Sequence, residues 1–195
     1  MGTFAHLHVH SNYSLRVGAA RVGDLAARAA EAGMETLALT DHDGMYGAVR
    51  FTLACDYFGV RPILGAELEW GDGYHVVLLA RDAAGWSNLC HLVTEMHLDD
   101  RAQSLPPGKR PRTSFESIAR HSQGLIALTG CARGEVPWLA SLGRIDEAEK
   151  AARRWLEVFG TEGFAIEITD HLAEPDALRN QNLVGLARSL GVKVA

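Results

Sequence analysis

Cysteine is scarce in this chain: three residues in 195, Cys55, Cys90 and Cys131, odd in number, far apart and without a Cys-x-x-Cys pair. That pattern argues against a disulfide framework and suits a reducing cytoplasm. No apolar run approaches the roughly 18 residues that a membrane span needs, and the first residues do not join a basic region to an apolar one as a secretory signal does. A cytoplasmic protein without membrane contact is therefore expected. Basic charge is also short, 19 Lys and Arg against 24 Asp and Glu, for a net charge of −5. Tight autonomous binding to DNA usually needs a basic footprint, so if the chain handles nucleic acid, something else supplies most of the affinity. Hydrophobic residues at 47% are enough for one domain with a real core, and a single domain over residues 1–195 is expected.

What the chain does have is histidine in a telling order. His6, His8 and His10 alternate with Leu7 and Val9, and Thr40-Asp41-His42 follows. Alternate residues of a β-strand share a face, so a strand over Phe4–His10 points the three imidazoles the same way. Imidazole is the commonest protein ligand for transition metals, which makes a metal enzyme the leading reading.

Strand and helix signals alternate along the rest. Apolar Val22, Leu25, Ala26, Ala29 and Ala30 keep helical spacing, with Asp24 as a cap and Gly33 as the stop. Strands are expected over Thr36–Thr40, Pro62–Leu68, Tyr74–Ala80, Leu125–Thr129 and Phe164–Thr169, and a last one over Val192–Ala195. A helix over Tyr46–Phe58 stops at Gly59, and another opens at Ser87. Thr113 with Glu116 reads as a capping box, Asp146 opens a long helix closed by Gly160, and Pro175 opens one closed by Gly191. Such alternation argues for an α/β fold with a mostly parallel sheet, open or closed. The pattern runs into a strand at Ala195, so we expect the front part of a longer protein.

Polar residues collect at the C-terminal ends of these strands, where α/β barrels carry their chemistry. His8 and His10 end the first strand, Asp41 and His42 follow the second, and Glu67 closes the third. His75 lies just past the Gly71-Asp72-Gly73 turn, Cys131 follows the fifth strand, and Glu167 and His171 end the sixth. Imidazole, carboxylate and thiolate donors suit zinc, manganese or iron better than magnesium or calcium.

With these residues in place, the chain resembles a known family, the PHP (polymerase and histidinol phosphatase) domain. It is most similar to the N-terminal PHP domain of bacterial DNA polymerase III α subunits, of the replicative or error-prone type. The stretches carrying the resemblance are FAHLHVHSNYSL, GAARVGDLAARAAEAGMETLALTDHDGMYGAVRF, GVRPILGAELEW and GLIALTGCARGEV. The weaker stretch FAIEITDHLAEPDALRNQNLVGLARSLGVKVA continues it.

The resemblance implies a distorted (β/α)7 TIM-like barrel, here ending at its seventh strand, and metal-dependent phosphoester hydrolysis. The chemistry most in keeping is 3′→5′ exonuclease action supporting replication or translesion synthesis. It implies His8, His10, His42, Glu67, His75 and Cys131 as metal ligands, with Glu67 bridging. Asp41 and Glu67 become the candidate catalytic residues, Asp41 either as a general acid or, as we favour, by orienting His42. A centre of Glu67, His75 and Cys131 is complete. The centre of His8, His10 and Glu67 lacks a final carboxylate expected beyond Ala195, and a third site keeps only His42. Where the family pattern places an Asp or His near position 17, this chain reads Arg16-Val17-Gly18. Implied partners are DNA, weakly, the polymerase portion of the same chain, and replication proteins.

Plainer readings stand beside these. His6, one pleat deeper, reads as a hydrogen-bonded histidine of the barrel core, and Glu167 with His171 as a hydrogen-bonded pair. Cys55 and Cys90 read as packing, and the basic loop Arg101–Arg112 as a solvated loop. For the whole chain the competing readings are a non-catalytic structural PHP module and a free-standing phosphatase of the histidinol-phosphatase kind.

Overall fold

The computed structural model describes residues 4–98 and 111–195. The basic loop expected over Arg101–Arg112 falls, except for its last two residues, outside the described residues; Arg112 itself pairs with Glu69. In chain order the elements are α1 (Val22–Glu31), β1 (Thr36–Leu39), α2 (Ala48–Phe58), β2 (Arg61–Trp70), β3 (Tyr74–Ala80) and α3 (Ala83–Leu98). Then come α4 (Phe115–Arg120), β4 (Leu125–Leu128), α5 (Glu135–Ser141), α6 (Ile145–Gly163), β5 (Phe164–Ile166), α7 (Glu174–Leu190) and β6 (Lys193–Val194).

The strands form one six-stranded sheet in sequence order. It is mostly parallel, with one strand reversed. β1–β2, β4–β5 and β5–β6 are parallel, but β3 runs against both its neighbours. The cause is local. Gly71 and Gly73 both take positive φ, a conformation open to glycine at no steric cost, and the chain reverses within three residues instead of crossing over by a helix.

The sheet curls into a half barrel with two apolar faces. Alternate residues of β2, β3 and β4 divide between them, as the strand period requires. On the inner face Ile63, Val77, Leu79, Ile126 and Leu128 meet Ala38, Ala165 and Leu7. On the outer face Ala66, Leu68, Trp70, Val76, Leu78, Leu125 and Ala127 pack on the helices. Helix α6 lies close because Ala148, Ala151 and Ala152 line its buried stripe ahead of Trp155. A second outer cluster joins Val22, Ala26 and Ala29 of α1 to Leu37 and Leu39 of β1 and Phe51 and Cys55 of α2.

Punctuation from the sequence holds in places and shifts in others. Gly59 and Gly191 end α2 and α7 in left-handed conformation, and Gly160 (φ 68°) breaks α6. Asp24 lies in the first turn of α1 rather than capping it. The cap of α4 is Ser114, whose Oγ accepts from the Ser117 N–H, because Thr113 is drawn into a bridge with Trp70.

The strand expected over Phe4–His10 does not form as a regular strand. Ala38 donates its N–H to the His6 carbonyl and Thr40 to the Val9 carbonyl, both at 2.9 Å. Two residues of β1's edge thus face three of the N-terminal segment, and the Val9 N–H is diverted to Thr40 Oγ1 at 2.8 Å. One surplus residue breaks the alternation. His6 consequently stands exposed, edge-on against Phe4 at 4.8 Å between ring centroids, instead of entering the barrel core.

Candidate metal centre

Glu67 is the hub of the site. It lies near the end of β2 on the inner face, with its side chain 1% exposed. The parallel register that pairs Leu39 with Leu64 carries on past β1 to pair His42 with Glu67. The Glu67 N–H donates to the Asp41 carbonyl, and the Asp43 N–H donates to the Glu67 carbonyl. His75 arrives by the reversed strand. It is the second residue of β3, opposite Glu69, so the antiparallel turn delivers an imidazole from the start of a strand to the rim where the parallel strands end.

Four imidazoles converge on this carboxylate. His75 Nδ1 is 2.8 Å from Glu67 Oε1, and His8 Nε2 is 3.5 Å from the same oxygen. His10 Nε2 and His42 Nε2 lie 2.9 and 3.0 Å from Oε2. Despite those distances, Oε2 is buried without an aligned hydrogen bond, and so is His75 Nε2. Neighbouring rings sit at centroid separations of 5.0 Å for His8–His10, 4.5 Å for His10–His42 and 5.2 Å for His42–His75.

Two donor groups result, His8 with His10 and Glu67, and His42 with Glu67 and His75. His42, which the resemblance sets apart in a third site, stands here with Glu67 and His75. Cys131, in the loop after β4, places Sγ 3.6 Å from Glu67 Oε1. Convergent nitrogens around a bridging carboxylate, with buried atoms left unpartnered, are a donor set that fits divalent transition metals.

Electrostatics reinforce the point. Burial would push the Glu67 carboxyl up, but the surrounding imidazoles of His10, His42, His75 and His8 override it and hold the group well below the usual carboxylate range. Burial would push His8 down, but hydrogen bonds to Glu167 and Glu67 raise it to about 10. Burial, and then the charge of Glu67, pushes the Cys131 thiol up to about 11. A cation beside it is what would make a thiolate stable there.

Asp41 is 1% exposed and turned away from the cluster. Its Oδ1 accepts from the Ser11 N–H at 2.7 Å and the Ser14 hydroxyl at 2.5 Å, and Oδ2 from the Ser11 hydroxyl at 2.7 Å. Ser14 Oγ in turn accepts the His42 N–H at 3.0 Å. Both Asp41 oxygens are thus committed to the loop that follows His10.

Glu167 and His171 do not pair. The His171 N–H is held by Asp176 Oδ2 at 2.8 Å and its side chain is exposed. Glu167 is 5% exposed and lies 2.6 Å from His8 Nδ1. The sequence signal for Glu167 is its place at the end of the β5 stretch. Its partner, 159 positions away, leaves no local trace.

The PHP domain family matches residues 6–171. An error-prone DNA polymerase of Symbiobacterium thermophilum is 42% identical across 97% of this chain, which spans 18% of that protein. DNA polymerase III α subunits of Treponema pallidum and Thermus aquaticus are each 36% identical across 97% of the chain, covering 17% and 16% of their lengths. Among solved structures, a candidate metal-dependent phosphoesterase from Bifidobacterium adolescentis superposes with a TM-score of 0.65 at 16% identity, over 97% of this chain and 85% of that one. An amidohydrolase from Chromobacterium violaceum gives 0.68 at 20% identity, over 97% and 84%. These two share the fold. The histidine-lined rim, the family match over most of its length and the polymerase relatives agree that this chain belongs to the PHP domain family.

Proposed function

We propose that the chain is a metal-dependent phosphoesterase module working in DNA replication or translesion synthesis, with 3′→5′ exonuclease action as its reaction. One observation carries the reading: four imidazoles surround a single buried carboxylate that keeps an oxygen without an aligned hydrogen bond. His8, His10 and Glu67 would hold one divalent ion, and His42, Glu67 and His75 a second, with Cys131 alongside. Zinc, manganese and iron suit these donors. Two such ions, when bound, polarise phosphoryl oxygens and lower the pKa of water in an in-line displacement.

The protein's own residues prepare the place. Glu67 offers both oxygens to the two groups and stays ionised. Asp41 holds the loop of Ser11 and Ser14, and Ser14 holds the backbone of His42. We assign Asp41 this anchoring role and not proton transfer, since neither oxygen is free to face a substrate.

The polymerase relatives support the replication context, and the net charge of −5 supports a division of labour. Partner proteins or further polymerase sequence would grip DNA, while this module meets a strand end. The test is hydrolysis of a 3′-labelled single-stranded oligonucleotide by the purified chain, with bound metal counted on the same sample. Nucleotide release in manganese or zinc, lost in E67Q, supports the reading. Bound metal without release of nucleotides favours a structural module, and release of phosphate only from monoesters favours a phosphatase of the histidinol-phosphatase kind.

A further inference from the structure

We propose that Glu167 is a positioning residue for His8, fixing which ring nitrogen that imidazole turns toward the cluster; this rests on the metal-centre reading above. The carboxylate is itself fixed from two strands. It follows β5, and its backbone N–H donates to Thr129 Oγ1 at 2.9 Å, just past the end of β4. Its Oε1 stands 2.6 Å from His8 Nδ1, with both side chains largely buried. A carboxylate can only accept, so Nδ1 carries the hydrogen. Nε2, which faces Glu67 and lies 3.2 Å from His10 Nε2, is then the nitrogen that gives its lone pair to a cation once its own proton is displaced.

The backbone around His8 needs such a tether. The surplus residue between the His6 and Val9 carbonyl contacts puts His8 at a bend, outside any regular ladder. Side-chain orientation there is not inherited from a strand. Glu167 supplies from across the half barrel what the broken alternation lacks.

The charge matters as well as the hydrogen bond. Glu167 Oε2 is buried without a hydrogen-bond partner, a desolvation cost that a neutral Gln accepting the same Nδ1–H would reduce. An anion behind the ring makes the opposite nitrogen a better donor to a cation.

The test is zinc affinity by chelator competition on the whole chain, comparing wild type with E167Q and E167A. The second donor group is followed separately in the cobalt-loaded protein through the absorption of the Cys131 thiolate on the metal. E167A weakens one equivalent of zinc by about 10- to 100-fold. E167Q falls between E167A and wild type, because the amide oxygen restores the hydrogen bond but not the charge. The cobalt–thiolate band stays as in wild type, and the metal-free E167A still unfolds cooperatively, at a melting temperature lowered by the lost contact with His8.

Equal affinity in wild type and E167A, within about twofold, overturns the inference. So does E167Q binding as poorly as E167A, or a metal-free E167A that is unfolded, which would make Glu167 a residue of the fold. A wild-type chain that binds no metal would bring down the metal-centre reading, and with it this inference. Zinc binding that ignores Glu167 would bring down the inference alone.

Discussion

The Ser14 hydroxyl donates to Asp41 Oδ1 at 2.5 Å while its oxygen accepts the His42 N–H at 3.0 Å. A carboxylate from the Thr-Asp-His stretch therefore reaches its own neighbour's backbone by way of a residue 27 positions earlier in sequence. Replacing it tests whether the contact is an anchor. D41A leaves the Ser11 N–H and two buried hydroxyls without their acceptor. Each orphaned group costs about 1–3 kcal/mol, reduced where a hydroxyl can turn to another partner, so we expect about 3 kcal/mol in total. Urea unfolding of the chelator-treated protein gives the number, free of any metal contribution. A loss under about 0.5 kcal/mol would show that the loop holds itself.

Glu67 faces both donor groups, so its loss should differ in kind from that of any one histidine. In E67Q the bridging charge is gone and both equivalents of metal should weaken by more than about 100-fold, beyond the effect of losing a supporting contact. H10Q should affect one equivalent, since His10 belongs to only one group. Elemental analysis after gel filtration separates the two outcomes. Equal losses in E67Q and H10Q would mean that the groups are not independent.

Much of this site is legible in the sequence because its residues stand at strand ends marked by local chemistry. Gly33 and Gly59 bracket β1 and α2, and the two turn glycines deliver His75, so His42, Glu67 and His75 could be placed from neighbours within a few residues. What stayed hidden depends on pairing at a distance. Nothing near His6 announces that its segment carries one residue more than the edge of β1 can match. The turn signals of Gly71 and Gly73 suggested a reversal, but not that β4 would also pair antiparallel and leave β3 reversed between parallel pairs. Glu167 read as a partner for His171 because the two are close in sequence. The fold instead spends the His171 backbone on Asp176 and sends the carboxylate to His8.

His8 predicts a pH dependence whose sign can be worked out. In the metal-free protein its pKa is raised to about 10 from 6.5 by Glu167 and Glu67, against the effect of burial. The contact therefore contributes stability that is fully present below about pH 6.5 and lost as pH rises through about 10. The melting temperature of chelator-treated wild type should fall across that window more steeply than that of H8Q. Zinc affinity should move the other way, because binding must displace the Nε2 proton while Nδ1–H stays on Glu167. The apparent constant should rise by up to about tenfold per pH unit until the proton is gone. Competition titrations at pH 7, 8 and 9 check it, and a flat profile would mean His8 is already neutral.

Two glycines make a last, paired prediction. A Cβ on Gly134 would lie 2.0 Å from the Thr129 carbonyl oxygen, backbone against backbone in the turn that carries Cys131. G134A must push that turn aside, at a cost of about 1–3 kcal/mol, and should disturb the cobalt–thiolate absorption of Cys131 as it does so. Gly185 lies on the exposed side of α7 with nothing within 4 Å of where its Cβ would be. G185A meets no obstacle and removes the conformational freedom of a mid-helix glycine from the unfolded chain. It should stabilise the protein by about 0.8–1 kcal/mol and leave metal binding alone. Chemical denaturation of both variants decides the matter, and a destabilising G185A would show that α7 is not a regular helix at that point.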